Sequence, residues 1–169
     1  MRISKAKASH ISSMMEIVLD AQKYLAQLGI DQWQNGYPNE AVLLNDINHR
    51  ESYCVHNDAG QLMGMTMFTT RPEITYYTID GNWLTAENAL YGVIHRLAVS
   101  NRFRSHGVAK FIFEQCEGQL KANNISSMRI DTHEENKGMQ KLIGQLGYEY
   151  CGVIFLESGD KRLAFEKIL

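Results

Sequence analysis

The stretch of residues 90–120 constrains the fold more than any other part of this chain, because three kinds of element follow one another in it. Residues 90–99 have the apolar character of a strand, and a polar, basic turn follows them. An amphipathic helix comes next, with apolar side chains at helical spacing: Val108, Phe111, Ile112, Cys116 and Leu120. A strand that runs directly into such a helix predicts a layered architecture in which helices cover a sheet.

The segments before this stretch predict two helices and several strands. Residues 1–8 are interpreted as a strand, after which Ser9 can cap a helix that Gly29 ends. A turn-rich aromatic loop follows, and Asn39 can cap a second helix that extends to residue 49. Two strands, 52–56 and 62–70, are joined by a hairpin signal. Residues 74–79 are compatible with a further strand, and residues 80–82 have the composition of a loop.

The C-terminal part predicts a strand, a helix and a hairpin. The strand covers residues 127–132, and the helix covers residues 136–146 with Gly147 as its C-terminal cap. Residues 148–156 and 162–168 form the final hairpin. The sequence therefore predicts a single α/β (α+β) domain over residues 1–169, with a mixed sheet of about six to seven strands flanked by about four helices.

Composition and charge narrow the class of partner. The formal net charge is -2 and the pI is near 6.3, which excludes the basic field needed for a nucleic acid or an anionic membrane. No apolar run approaches the roughly 18 residues of a membrane span or has the character of a secretory signal, so we expect a cytoplasmic protein. The three cysteines lack the spacing of a disulfide framework or a zinc site, and we expect no metal. Among the classes of partner, a small molecule agrees best with this charge and composition.

The basic turn has the properties of an anion site. Backbone amides in the first turn of a helix lack intrahelical partners, and the helix dipole adds positive character. Gly107 allows close approach of the backbone, and Arg102, Arg104 and Lys110 add charge. By spacing alone, the pattern Arg-x-x-Gly-x-Ala also fits a solvated basic helix start.

With its surroundings, this turn resembles the signature of the GNAT (GCN5-related N-acetyltransferase) superfamily. That signature combines an apolar strand, here ending Leu97-Ala98-Val99, with the turn of residues 104–109. It then requires a later asparagine helix that closes on Gly-Tyr, here Asn136 and Gly147-Tyr148. The resemblance implies a GNAT fold whose sheet is splayed between the strands 90–99 and 127–132. It also implies an acetyl-CoA-dependent N-acetyltransferase.

The resemblance assigns the cofactor contacts residue by residue. The backbone of Leu97 and Val99 would pair with the pantetheine arm of acetyl-CoA, as an added strand would. Asn136 would contact the cofactor beyond the strand, although it also suits an N-cap, and both roles are compatible. The pyrophosphate would bind to the backbone amides of the turn: Arg104, Ser105, His106, Gly107, Val108 and Ala109.

The reaction requires a base and an oxyanion contact. His95 lies on the motif strand and shares a face with Val93, Leu97 and Val99 by alternation. It also matches a histidine that a family member uses in relaying protons, so we expect it to be the general base. A hydrogen-bonded structural histidine is the alternative. The backbone at Leu97 or Ala98 is expected to contact the oxyanion, and Arg96 to form a salt bridge or to pack.

The tyrosine that protonates the departing thiolate in many relatives has no counterpart in this chain. Many relatives place a tyrosine where this chain has Ile143. The thiolate can leave without a protein donor, and Tyr148, His133 and Cys151 are weaker substitutes.

The acceptor side is rich in aromatic and polar side chains. Such residues suit a cationic amine, although an aromatic loop can also be a lid or a dimer contact. The candidates for contact with the acceptor are Trp33, Tyr37, Trp83, Asp131 and His133. We therefore predict transfer to a primary amine of a small molecule. The alternatives are a protein lysine or N-terminal acetyltransferase and a non-catalytic acyl-CoA-binding module, and a homodimer is a possible state.

Overall fold

A computed structural model describes the whole chain, Met1–Leu169, as two compact units. The first contains residues 1–68 and 95–115, and the second contains residues 69–94 and 116–169. Strand β5 (Gly92–Val99) and helix α3 (Val108–Ala122) each contribute residues to both units. No helix combines the length and the apolar character that a membrane crossing requires.

The first unit is built on antiparallel strands and two helices. Its strands β1 (Arg2–Lys5), β2 (Ser52–His56) and β3 (Leu62–Thr69) are neighbours in that order, and β5 follows β3 in the sheet. Helices α1 (Ile11–Gln27) and α2 (Glu40–Asn48) bury their apolar stripes against this sheet. The resulting core contains Ile11, Met14, Ile17, Val18, Leu43, Cys54, Met65 and Ala98.

The ends of the first two helices test the predicted caps. The side chain of Asn39 accepts a hydrogen bond from the Val42 amide at 3.1 Å, which confirms it as the cap of α2. Gly29 has a φ of 70° directly after α1, as a C-terminal glycine should. The prediction for Ser9 is wrong. Ser9 lies inside a 3-10 turn, Ala8–His10, and α1 begins only after it.

The second unit contains the other strands and helix α4 (Lys137–Gln145). Strand β6 (Ser127–Thr132) pairs with β8 (Lys161–Ile168), which pairs with β7 (Glu149–Phe155), and β7 pairs with the short β4 (Ile79–Gly81). These pairs are antiparallel. By contrast, β5 runs parallel to β6, with Gly92 opposite Met128 and Val93 opposite Arg129. The core of this unit contains Tyr76, Tyr91, Val93, Ile154 and Ala164.

The predicted mixed α/β fold with four helices is confirmed, and the sheet has eight strands in the order β1-β2-β3-β5-β6-β8-β7-β4. The additional strand is β4, which contains Ile79, the last residue of the predicted strand 74–79, and residues 80–81, which were predicted to be a loop. Residues 74–78 are not a strand. The segment Ile74–Tyr76 is a 3-10 turn because the carboxylate of Glu73 accepts hydrogen bonds from the amide and hydroxyl of Thr75 and so favours a turn over a ladder.

Candidate cofactor and catalytic site

The turn between β5 and α3 presents backbone amides at the start of a helix. The chain leaves β5 through a 3-10 turn, Asn101–Phe103, and enters α3 at Val108. Between them, Ser105 and Gly107 have left-handed backbone conformations with φ of 62° and 75°. The carbonyl of Gly107 accepts a hydrogen bond from the Phe111 amide at 2.9 Å. The helix amides that follow Gly107 have no earlier helical carbonyl to bind, and they can therefore bind an anion.

Gly107 is required by the backbone conformation and not by crowding. A Cβ atom placed on this residue would meet no heavy atom within 4 Å. The space that a side chain at residue 107 would enter is therefore open. The left-handed φ is the feature that favours glycine here.

Cationic side chains accompany the turn. The guanidinium of Arg104 lies over the ring of Tyr24 in α1, 3.9 Å from its centroid. Arg102 is exposed, and the ammonium of Lys110 lies 3.7 Å from the carboxylate of Glu114. The turn therefore combines helix amides with positive charge, and Arg104 is partly immobilised by its aromatic contact.

Strand β5 has an irregular backbone at Arg96. Its φ of 52° is left-handed, a conformation found at β-bulges, and we refer to this position as the β5 bulge. Strict alternation of side chains does not continue through such a residue. The argument that His95 shares a face with Val93, Leu97 and Val99 assumed a regular strand, and beyond Arg96 it stays a prediction.

The residues that flank the β5 bulge differ in burial. His95 is half-buried, and its carbonyl accepts a hydrogen bond from the hydroxyl of Thr66 at 3.1 Å. Ala98 is buried in the core of the first unit, whereas Leu97 and Val99 are half-buried. The segment from His95 to Val99 and the turn of residues 104–109 belong to the same unit.

Arg96 forms the salt bridge that its position predicted. Its Nε and Nη2 atoms each donate to a different oxygen of Asp46, both at 2.7 Å. Its Nη1 atom donates to the hydroxyl of Tyr37 at 2.6 Å. Burial raises the pKa of Asp46, and the positive charge of Arg96 opposes that shift.

The second unit contains the predicted asparagine. The side chain of Asn136 accepts a hydrogen bond from the Met139 amide at 3.1 Å and caps α4. Ile143 lies on the same helix and is fully buried. The structure thus confirms the cap role of Asn136.

Two of the substitute proton donors are buried. The hydroxyl of Tyr148 donates to the Glu117 carboxylate at 3.0 Å. Burial raises the pKa of Tyr148 far above its usual value, and the negative charge of this carboxylate raises it further. Burial also raises the pKa of Cys151. His133 is half-buried and accepts a hydrogen bond from the Glu135 amide at 3.1 Å. Neither Tyr148 nor Cys151 is suited to release a proton near neutral pH.

The second unit brings together two of the predicted acceptor residues. Asp131 accepts a hydrogen bond from the hydroxyl of Tyr76 at 2.8 Å, and Tyr76 is fully buried. The indole of Trp83 donates to the carbonyl of Tyr76 at 3.0 Å, and their rings lie 5.0 Å apart. The guanidinium of Arg129 lies 4.2 Å from the Trp83 ring. Trp83 thus packs within its own unit.

The other predicted acceptor residues in the aromatic loop lie in the first unit. Trp33 has a left-handed φ of 65° and packs against the core of that unit. Tyr37 accepts the hydrogen bond from Arg96 already described, and its carbonyl accepts another from Gln22 at 3.1 Å. Tyr37 therefore connects the loop to β5 through its hydroxyl and to α1 through its backbone carbonyl.

A buried polar cluster surrounds Glu166 and was not predicted from the sequence. This carboxylate is fully buried and accepts hydrogen bonds from the Leu84 amide at 2.6 Å, from Arg129 at 3.0 Å and from the hydroxyls of Thr85 and Ser127. Burial acts to raise the pKa of Glu166, but the hydrogen bonds from Ser127, Thr85 and Arg129 lower it below its usual value. The signal available in the sequence was a glutamate within the otherwise strand-like residues of β8, which indicates a carboxylate in the sheet.

The chain matches known proteins over nearly its whole length. The model of the acetyltransferase (GNAT) family matches residues 17–148. A crystal structure of a GNAT-family acetyltransferase from Streptococcus agalactiae is 34% identical, with a TM-score of 0.89 over 99% of this chain and 95% of the other. No curated protein sequence matches this chain.

More distant structures share the fold. A GNAT-family acetyltransferase from Listeria monocytogenes is 18% identical, with a TM-score of 0.76 over 99% of this chain and 94% of the other. The PaiA N-acetyltransferase from Thermoplasma acidophilum, solved in complex with coenzyme A, is 15% identical, with a TM-score of 0.73 over 99% of this chain and 98% of the other.

Proposed function

The chain belongs to the acetyltransferase (GNAT) family, and from that premise we propose that it transfers the acetyl group of acetyl-CoA to a primary amine of a small molecule. The observation that carries the proposal is the turn of residues 104–109. Its helix amides, its left-handed Gly107 and its cationic neighbours would form an anion site in the connection from β5 to α3.

The residues at this turn fit a pyrophosphate. The backbone amides of Arg104, Ser105, His106, Gly107, Val108 and Ala109 would hold it. The open space beside Gly107 leaves room for the phosphates. The backbone of Leu97 and Val99 would bind the pantetheine arm, and Asn136 would contact the cofactor from the start of α4. Acetyl-CoA supplies the activated acetyl group when bound. The complex of the Thermoplasma protein with coenzyme A supports this assignment by analogy of fold.

The proposed chemistry is direct transfer. His95 would take up the proton that the amine nitrogen loses as this nitrogen bonds to the acetyl carbon. The backbone amide of Leu97 or Ala98 would stabilise the negative charge that develops on the carbonyl oxygen. The carbon–sulfur bond then breaks and its electron pair leaves with the thiolate. Ile143 cannot protonate that sulfur, so we propose that the thiolate departs without a tyrosine.

The acceptor side is proposed to favour cations. Asp131 is half-buried and is oriented by the hydrogen bond from Tyr76, so its carboxylate can attract an ammonium group. His133 follows it at the end of β6. Trp33, Tyr37 and Trp83 would contribute apolar contact with the acceptor through the edges that their own packing leaves accessible.

Thermal unfolding with acetyl-CoA tests cofactor binding. A ligand present at 100 times its Kd stabilises the native state by about 2.7 kcal/mol, so acetyl-CoA should raise the Tm by several degrees. Adenosine, which has no pyrophosphate, is the control and should give a much smaller shift. An unchanged Tm at millimolar acetyl-CoA would contradict the proposal.

Release of coenzyme A in a panel of acceptors tests the class of substrate. We expect turnover with small primary amines and none with alcohols. Faster acetylation of peptides than of any small amine would favour a protein acetyltransferase, and binding without turnover would favour a non-catalytic module. A cytoplasmic location and a homodimer belong to the same proposal, and cell fractionation and light scattering test them.

A further inference from the structure

The β5 bulge is the one place where a non-glycine residue inside a strand has a left-handed φ. Five non-glycine residues have positive φ values in this chain, and the other four lie in turns or bends: Trp33, Arg50, Ser105 and Asn124. An arginine has no intrinsic preference for this conformation, because its Cβ atom makes left-handed backbone unfavourable. Contacts with its surroundings must therefore hold Arg96 there.

The side chain of Arg96 makes those contacts within the first unit. Two of its nitrogens pair with both oxygens of Asp46, and the third donates to the hydroxyl of Tyr37. The side chains of Arg96 and Asp46 are 13% and 5% exposed, so water competes little for these bonds. A planar guanidinium with all three nitrogens engaged has one orientation only.

The two partners of Arg96 are themselves fixed. Asp46 lies on α2, whose N-terminus is capped by Asn39. Tyr37 lies in the loop before α2, and its carbonyl accepts a hydrogen bond from Gln22 of α1. The guanidinium therefore connects the backbone of β5 to both helices of the unit.

The geometry points to Arg96 as a positioning residue. Asp46 and Tyr37 hold it in the left-handed conformation, and this conformation directs the backbone of residues 97–99 toward the pantetheine arm. Arg96 contacts no reacting atom in this scheme. A bulge changes the direction of the backbone groups that follow it, and Leu97 is the next residue along the strand. The inference rests on the proposed function, because it assumes that acetyl-CoA binds along this segment.

Three variants separate the anchor from the backbone conformation. Arg96→Ala removes the anchor and keeps a Cβ atom that disfavours positive φ. Arg96→Gly also removes the anchor, but glycine adopts positive φ freely. Arg96→Lys keeps the charge but cannot engage Asp46 through two parallel bonds. We expect Arg96→Ala and Arg96→Lys to raise the KM for acetyl-CoA about tenfold or more and to lower kcat, and Arg96→Gly to recover a substantial part of both losses.

A matched control weakens a partly buried ion pair far from β5 in sequence. Lys167 donates to both oxygens of Glu117 at 2.9 and 2.8 Å in the second unit, and Glu117→Gln weakens that pair. We expect this variant to lower the Tm without changing the KM for acetyl-CoA. General destabilisation lowers only the fraction of active enzyme, so it reduces apparent kcat and leaves KM unchanged.

The outcomes distinguish this inference from the proposed function. A wild-type chain that neither binds nor uses acetyl-CoA would refute the function itself. If the wild type turns over but Arg96→Ala keeps its KM and kcat, or Arg96→Gly is no better than Arg96→Ala, the positioning role is refuted. Should Arg96→Ala fail to fold, the same KM comparison is made with Asp46→Asn, where an unchanged KM for acetyl-CoA overturns the inference.

Discussion

Gly81 and Gly152 lie opposite each other across β4 and β7, so close together that neither position can accommodate a side chain. A Cβ atom on Gly152 would lie 2.2 Å from the carbonyl oxygen of Asp80, and one on Gly81 would lie 2.1 Å from that of Cys151. Both residues have positive φ values, 138° and 140°. The short strand β4 therefore pairs with β7 only because both residues are glycine.

The first prediction is that Gly152→Ala destabilises the protein by about 2–4 kcal/mol, because the added methyl group clashes with backbone and the φ is unfavourable for alanine. Urea denaturation at neutral pH measures the free energy of unfolding. Gly118→Ala is the control, since Gly118 lies in α3 with nothing within 4 Å of its Cβ position. That change should stabilise by about 0.5–1 kcal/mol. Equal effects of the two substitutions would contradict the crowding seen here.

The second prediction concerns the anion site. Gly107→Ala introduces no clash, but alanine strains the left-handed φ of 75°, and the free chain can relieve that strain by relaxing the turn. Binding must then restore the original conformation, so we expect the Kd for acetyl-CoA to rise about tenfold, measured by calorimetry. The control is Gly144→Ala in α4, where nothing lies within 4 Å and φ is not positive. Comparable losses in both variants would argue against a specific role for the turn.

The third prediction is that Glu166 contributes stability that is lost in acid. Its pKa is lowered in the folded chain from the ordinary value of 4.5, so the unfolded state takes up its proton first as pH falls. The stabilisation is therefore present above about pH 4.5 and declines as pH falls toward the folded pKa. At neutral pH, Glu166→Gln should cost about 3–5 kcal/mol because Arg129 loses its partner.

Urea denaturation between roughly pH 7 and pH 3 tests this prediction. The free energy of unfolding of Glu166→Gln should depend less steeply on pH below about 4.5 than that of the wild type. Glu157→Gln, at an exposed position in the final hairpin, should follow the wild type. Parallel curves for Glu166→Gln and the wild type would show that this carboxylate is not the acid-sensitive group.

Much of the fold follows from local sequence signals. The helical stripe of α3, the strand β6 and the cap at Asn136 are each determined by residues close together in the chain, and periodicity or capping chemistry reveals them. The turn of residues 104–109 was recognisable for the same reason. Its glycine, its charges and the helix that follows are all local.

The remaining features depend on contacts between distant residues. Glu166 binds Thr85 and Ser127, which are 81 and 39 positions away, and no local pattern connects them. The left-handed conformation of Arg96 could not be predicted, because arginine ordinarily avoids it. Here Arg96 pairs with Asp46, which is 50 positions away in the chain. Likewise, β4 pairs with β7 because Gly81 faces Gly152. By their sequences alone, the first of these segments resembles a loop and the second a strand.

The last prediction concerns the base. His95→Gln keeps a polar side chain of similar size and the backbone carbonyl that accepts from Thr66, but glutamine cannot take up a proton. A positioned general base contributes typically 10²–10⁴-fold, so we expect kcat to fall by about that factor while the Kd for acetyl-CoA stays unchanged. Rates are compared between roughly pH 6 and 9, and kcat/KM should be lower in the variant throughout that range. His49→Gln, at the exposed end of α2, is the control and should retain the wild-type profile. If His95→Gln kept the wild-type rate across this range, His95 would be a structural histidine, and another group or the solvent would accept the proton of the amine.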